Sequence, residues 1–473
     1  MPKEFIVAIE LGSSKMTGIA GKKNLDGSIS VLAVVREDST SCIRKGVVYN
    51  IDKTVLCITN IIKKLETTLK TKIVKVYVGV GGQSIRSVKN VIVKDLPAGT
   101  IVTQEIINEL MDANRSMTYP DLEILDAAIQ EYKVDSQYQI DPVGIQCTRI
   151  EGNFLNILQR KSFYRSLNKC FDNAGISIAE MYLAPLALAD SILTEAERRS
   201  GCVLVDLGAD TTTVSVFNKN ILRHLAVIPL GGNNITKDIA TVQMEEHEAE
   251  AIKLKYGSAY TDANEIDDTL RYPIDQERQI ESRKLVEIIE GRVDEIIENV
   301  WYQVPQEFAD KLLGGIILTG GGSNMKNIER AFRNHTHVSK VRIAKFVQQT
   351  INSKNPEITA KDGTMNTMLS LLEKGDINCA GDEITNDLFN TDRPLASGKS
   401  QRTTDRPGVV QTEAEKRAQE EARKKKEADE AAIRKEEQAK ADREKKAKKE
   451  NSIANKAIKN LRTFFKKMVE EEE

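Results

Sequence analysis

The chain has 473 residues, 40% hydrophobic and 29% charged, enough to bury two or more cores, since a single core rarely grows beyond about 250 to 300 residues. Lys and Arg number 68 against 70 Asp and Glu, a formal net charge of -2, which leaves no global field to attract nucleic acid and makes any electrostatic targeting local. The start, MPKEFIVAIELG, meets an acid and then glycine before a secretory core can form, and no stretch approaches the roughly 18 uncharged residues of a spanning helix, so a cytoplasmic protein is expected.

From residue 1 to about 380, short β-rich runs bounded by glycine alternate with helical periods, the pattern of an α/β protein. The first run, FIVAIELGSSKMTGIAG at 5–21, is an apolar strand, an acid, a glycine, small polar residues and a second strand. Two hundred residues later CVLVDLGADTTTVSVF at 202–217 repeats that order, so a hairpin occurs twice and implies a duplicated domain with a cleft between the copies. Gly12 and Gly208 at the turns let backbone N–H groups approach a ligand, and Ser13, Ser14, Thr211 and Thr212 add hydroxyl donors, an arrangement suited to phosphate oxygens. Lys15 would set a point charge against terminal phosphates, while Glu10 and Asp206 at the strand ends would hold hydrated Mg²⁺ from opposite sides. Taken singly, either copy also reads as an ordinary hairpin.

VIPLGGNNITKDIA at 227–240 places Gly231, Gly232 and Asn233 before a helix, and AEAIKLKYG then sets Glu250 and Lys253 three apart on one helical face. Taken in isolation, that pair reads first as an ordinary surface salt bridge. At 271–297 a loop leads into an amphipathic helix whose Leu285, Ile288, Ile289 and Val293 read as core, with Arg271, Arg283 and Lys284 available to an acidic peptide. GGIILTGGGSNMKNIERAF at 314–332 is an apolar strand running into Gly320, Gly321, Gly322 and Asn324 and then a helix, where a ribose and purine can lie flat on backbone. The six cysteines, Cys42, Cys57, Cys147, Cys170, Cys202 and Cys379, show no paired spacing and read as reduced core thiols.

The remainder changes character. Residues 385–411 are polar with Pro, Gly and Ser, a flexible linker by composition. Residues 412–450 are almost wholly Ala, Glu, Lys, Arg and Gln with acids and bases at i,i+4, a solvated helical spacer without a coiled-coil seam. In NSIANKAIKNLRTFFKKMVEEEE, Ile453, Ala457, Ile458, Leu461, Phe464, Phe465 and Met468 fall on one helical face and Lys456, Lys459, Arg462, Lys466 and Lys467 occupy the rest. Such a helix has the composition of an interfacial membrane anchor. A partner groove, or docking onto the protein's own core, would use the same pattern.

Two hairpins, a GGN turn, an ExxK helix and a TGGG turn in this order resemble the actin/Hsp70/sugar-kinase superfamily, whose paired domains clamp MgATP. Within it, SCIRKGVVYNIDKTVLCITNIIKKLE, VYVGVGGQSIRS, VDSQYQIDPVGIQ, VIPLGGNNITKDIA and AEAIKLKYG resemble the bacterial FtsA family over residues 4–380. The resemblance implies actin-like subdomains at 1–84 with 166–200 and at 201–237 with 306–384. It implies an SHS2-like FtsA-type insert at 85–165 used for self-assembly, and a small subdomain at 238–305 that meets the C-terminal peptide of FtsZ. Residues 385–451 then form linker and charged spacer, and 452–473 the amphipathic membrane-targeting helix.

The implied function is an ATP-binding, filament-forming division protein. It would sit at the cytoplasmic face of the inner membrane at the septum, peripheral and bound to anionic phospholipid, FtsZ and later division proteins, with no nucleic acid. Two departures bear on turnover: the second loop reads GADT, with Ala209 and Asp210 where GGGT is usual, and Thr213 stands where an acid is common. Slow or negligible hydrolysis is therefore expected, with no catalytic residue assigned. The rivals are an ATP-dependent enzyme of the same superfamily, a sugar kinase or chaperone ATPase, and an actin-like pilus-assembly protein.

Overall fold

The computed structural model describes residues 4–383 and 408–410, which belong to the first of the two units into which the chain divides, Met1–Val410 and Gln411–Glu473. The charged spacer and the amphipathic segment at 452–473, including Ile453, Lys456, Phe464 and Phe465, lie outside the described residues.

One plan of five strands occurs twice. In the first sheet Ile29–Asp38, Lys15–Lys23 and Ile6–Leu11 run antiparallel in succession, and Lys75–Val80 and Ser177–Leu183 follow in parallel. In the second, Ile221–Ile228, Thr212–Asn218 and Cys202–Leu207 repeat the antiparallel run, and Gly315–Thr319 and Val341–Ile343 the parallel one. Apolar runs such as IVAIEL and CVLVDL make this possible, because strands buried on both faces cannot alternate with polar residues. Two large cores result, one around Ile9, Met16, Ile61 and Tyr77 that also takes in Leu204, Phe217 and Ile317 from one face of the second sheet, the other around Val205, Val214, Ile289 and Phe332.

Helices cover the sheets where the strands give them room. Ile51–Leu69 starts at Asn50, whose side chain accepts from the Lys53 N–H, and buries Ile58, Ile61, Leu65 and Leu69 on one face. It presses against the first hairpin at Gly18, where any Cβ would lie 2.3 Å from Ile61. The helix Ser282–Tyr302 buries Leu285, Ile289 and Val293 as expected, with Ile288 half-buried, but a short hairpin, Arg271–Pro273 with Gln279–Glu281, precedes it instead of a plain loop.

The insert is a three-stranded antiparallel sheet, Arg86–Asp95, Arg149–Arg160 and Leu122–Val134, extended by Gln137–Gln139 and covered by the helix Gln104–Arg115. Its own small core holds Val102, Leu110, Ile150 and Phe154. A single residue pair, Ala226 with Arg86, joins it to the second sheet, so nine strands are continuous. Gln130 reinforces that seam by donating to the Leu222 carbonyl.

Two expectations change. Residues 306–384 do not all stay with the second half: Ile351–Asn352 extends the first sheet, and helix Asn366–Lys374 packs on its strands and on helix Ala184–Ile192. The cause is the apolar face of that helix, since Leu369, Leu371 and Leu372 have their partners in the first core. Nor is 385–411 wholly a linker, because Val409–Val410 is a strand on the free edge of the first sheet, paired to Met181 and Tyr182. Val410 is 1% exposed, and the apolar GVV run supplied a burial signal that the surrounding polar composition masked.

One ion pair ties the crossover between the halves to the second sheet. Arg342 donates to both carboxylate oxygens of Glu197 at 2.7 and 2.9 Å and to the Ile192 carbonyl. Glu197 closes a capping box with Thr194. Burial works to raise the Glu197 pKa, but Arg342 and Thr194 outweigh it and bring the carboxyl down to about 2. A folded-state pKa below the ordinary 4.5 means stability that is complete above pH 4.5 and lost as pH falls toward 2. Glu197→Gln should cost about 1–3 kcal/mol at pH 7, and urea titrations between pH 7 and pH 3 should show a smaller loss of stability on acidification in the variant than in the parent.

Candidate functional site

The two hairpins bring their turns near one another: Asp210 on the second accepts from the Lys45 N–H beside the first at 3.3 Å, and the Asp206 charge acts on Glu10. In the first, Glu10 pairs with Thr17 and Leu11 with Met16, so Gly12, Ser13 and Ser14 form the turn. A Cβ on Gly12 would lie 2.5 Å from the Lys15 carbonyl oxygen. Ser13 is buried and its hydroxyl accepts from the Gly46 N–H at 2.8 Å, while the Ser39 hydroxyl donates to the Gly12 carbonyl at 2.6 Å. Lys15 is exposed. Ser13 thus helps to hold the turn as an acceptor, and Ser14 and Lys15 are the loop's more exposed side chains.

The second hairpin is tied down differently. Gly208 N–H donates to the Thr211 carbonyl, and Gly232 N–H and Asn233 N–H donate to the Gly208 and Ala209 carbonyls at 3.0 and 2.7 Å. A Cβ on Gly231 would lie 2.6 Å from the Ala209 oxygen, so the GGN turn and the hairpin turn lock together. Gly232 and Asn233 fall in the first turn of helix Gly232–Ala240 rather than ahead of it. Thr212 is fully buried with its hydroxyl on the Leu230 carbonyl. Asp210 faces the opposite half of the cleft: it accepts from Asn233 Nδ2 at 2.8 Å and from the Lys45 N–H of the first half at 3.3 Å.

The ExxK pair is not a surface salt bridge. Lys253 is 8% exposed, and its Nζ reaches the Gly232 carbonyl at 3.0 Å, Thr236 at 2.8 Å and Glu250 at 2.6 Å. All three ammonium donors are thus consumed in positioning the GGN turn. Glu250 also accepts from the Thr236 hydroxyl and keeps part of its carboxylate open.

The TGGG turn leaves Gly315–Thr319 beside Asp206. Gly320 has φ +82, and a Cβ there would lie 2.3 Å from Asp206 Oδ1; at Gly322 it would lie 2.9 Å from Leu207 Cβ. Those two glycines serve the fold. Gly321 meets nothing closer than Thr364 at 3.8 Å and is the one with space for a ligand. A 3-10 turn, Gly321–Asn324, intervenes before helix Ile328–Thr336, so the expected direct entry into a helix is displaced to residue 328. Asn324 spends its amide on the Asp362 carbonyl at 2.8 Å.

Glu10 and Asp206 end the two matched strands. Burial raises the Glu10 carboxyl to about 7, with the Asp206 charge adding to it and Arg36 opposing it; burial raises Asp206 to about 6. Two carboxylates short of solvation and coupled to each other favour a cation between them. Among the described residues no three acidic, His or Cys side chains gather as a metal site, so a divalent ion would be shared with water and with a ligand's oxygens, which suits Mg²⁺ on a polyphosphate.

Three contributors escaped sequence reading. Ser39 and Gly46 shape the first loop through contacts 27 and 33 residues distant. Arg36 lies in the same cross-strand row as Glu10, through Thr17, and binds Glu357 at 3.0 Å, while its buried Nε has no partner among the described residues. Only the strand register reveals that row.

The glycines make a paired test. Gly320→Ala should destabilise the protein by about 2 kcal/mol or more, through the left-handed backbone and the clash with Asp206. Gly321→Ala should stay within about 0.5 kcal/mol of the parent in denaturant melts.

Known proteins agree with this construction. The family model described as cell division protein FtsA matches residues 203–363, and that of the SHS2 domain inserted in FtsA matches 82–158. FtsA of Porphyromonas gingivalis is 32% identical over 333 residues, 69% of each chain. FtsA of Neisseria meningitidis serogroup B is 31% identical over 69% of this chain and 80% of that one, and FtsA of Bacillus subtilis 30% over 69% and 75%. Among solved structures, the PilM-PilN type IV pilus biogenesis complex covers 78% of this chain and 98% of its own at a TM-score of 0.54 and 15% identity, a likeness of fold. With its duplicated five-strand sheets and its SHS2 insert, this chain belongs to the FtsA family of cell division proteins.

Proposed function

We propose that the chain binds MgATP between its two halves, assembles into actin-like filaments and ties the FtsZ ring to the cytoplasmic face of the inner membrane. The observation that carries this reading is the meeting of two hairpin turns at one cleft, with the poorly solvated carboxylates of Glu10 and Asp206 at their roots. Gly12 and Gly321 would offer backbone to the nucleotide, Gly208 would let the second turn close without a Cβ in the way, Ser14 and Lys15 would reach its phosphates, and Glu10 and Asp206 would hold a magnesium ion through water. Gly231, Gly232, Lys253 and Glu250 act one step back, fixing the wall on which the ribose rests.

Nucleotide acts chiefly as a structural ligand on this reading. Asp210 spans the cleft to Lys45 and adds negative charge near the phosphates, and Thr213 pairs with Asp206 where the family commonly has an acid. Binding then favours the closed form by differential affinity rather than by turnover.

The FtsZ peptide is assigned to residues 238–305. An open cavity of about 300 Å³ lies there, lined by Asp238, Thr241, Ile288, Gly291, Arg292 and Glu295. It offers one apolar lining residue, Ile288, and a guanidinium already paired with Asp238 at 2.5 Å, which an acidic peptide would have to displace.

No helix among the described residues is long and apolar enough to cross a membrane. Attachment is assigned to 452–473, where one amphipathic helix binds modestly and an array along a filament gains avidity. Co-sedimentation with phosphatidylglycerol-rich vesicles should pellet the full chain, more so with MgATP, and leave a truncation after Glu450 in the supernatant. Equal pelleting of both would overturn the anchor.

A further inference from the structure

The tail does not leave the folded body where the last helix ends. Val409–Val410 adds an antiparallel strand to the edge of the first sheet, with Val409 opposite Tyr182 and Val410 opposite Met181. The Leu183 N–H donates to the Gly408 carbonyl at 2.8 Å, extending the ladder. Without this strand, Ser177–Leu183 would be the sheet's open edge, a template for any extended peptide.

The same three residues touch the insert. Gly408 N–H donates to Asp126 Oδ2 at 2.8 Å, and Asp126 sits on the insert strand Leu122–Val134, opposite Ile157. The other oxygen of Asp126 accepts from the Ala127 N–H. Burial raises the Asp126 carboxyl while the Gly408 and Ala127 amides, and the charge of Arg115, lower it, so the tail's N–H helps to keep an anion there. Gly408 has φ +85 with Leu186 Cβ at 3.4 Å from where a Cβ would stand, so this position asks for glycine. Val410 is 1% exposed and belongs to the first core, and Val409 packs partly against it.

We propose that Gly408–Val410 is an intramolecular clasp: the chain's own tail closes the edge of the first sheet, pins the insert to it through Asp126, and fixes the tail's point of departure at that junction. A pairing of two residues is marginal by itself, so the clasp is releasable without unfolding either sheet. Its release would free the edge at Ser177–Leu183 and the Asp126 carboxylate together. If the tail is a membrane tether, pulling on it is delivered to the seam between first sheet and insert; this consequence rests on the proposed function, the clasp itself does not.

Hydrogen–deuterium exchange on the full chain tests it, comparing the parent with Val410→Asp and Gly408→Val. The amides of Met181 and Leu183, which face the clasp, should exchange at least tenfold faster in both variants, while those of Glu180 and Tyr182, which face Lys75–Val80, and the hairpin at 203–217 keep their protection. Unchanged exchange at Met181 and Leu183 in either variant whose 203–217 protection is intact would overturn the clasp. Vesicle pelleting of the same variants separates the two readings: the tether reading expects pelleting to persist, and its loss in the parent chain would count against the tether alone.

Discussion

Everything in this molecule is arranged around two carboxylates that would avoid each other in water. Glu10 and Asp206 end strands of one design, each followed by a glycine turn, and burial raises both. On the proposed function, a fold that holds two such groups close gives up stability when empty and would recover it on binding a cation and its ligand. The duplicated five-strand sheet is the frame that makes the juxtaposition obligatory, because matched strands with matched turns converge on the space between them.

Around that pair the polar side chains divide into those that face the cleft and those that hold its walls. Thr212 and Lys253 have their polar groups engaged on backbone or neighbouring side chains, Ser13 accepts from the Gly46 N–H, and Asn324 commits its Nδ2 to the Asp362 carbonyl. Asp210 bridges to the opposite half through the Lys45 N–H. A ligand that draws the halves together works with this contact, and one that pushes Asp210 aside works against it. The loops are therefore set for a conformational response rather than for rapid chemistry, on the reading proposed above.

Much of this was legible in the sequence, and the limits are physical. The repeated order of apolar strand, acid and glycine revealed the duplication because a hairpin's chemistry is local. Gly320 and Gly321 look alike in sequence, yet one is required by Asp206 beside it and the other faces open space, a difference set by the neighbouring parallel strand. Arg36 and Ser39 act through register and long-range contact, which no spacing along the chain encodes. The return of Asn366–Lys374 to the first sheet and the docking of Gly408–Val410 escaped for the same reason: an apolar segment shows that it will be buried, not against which sheet.

On the proposed function the carboxylate pair is destabilising when empty and serves as the magnesium seat when nucleotide binds. Thermal melts of Glu10→Gln with and without MgATP measure both effects. The account predicts a melting temperature for the empty variant equal to or above that of the parent, with the magnesium-dependent part of the nucleotide-induced rise lost. A variant that melts well below the parent when empty, yet keeps the full magnesium-dependent rise, would contradict it.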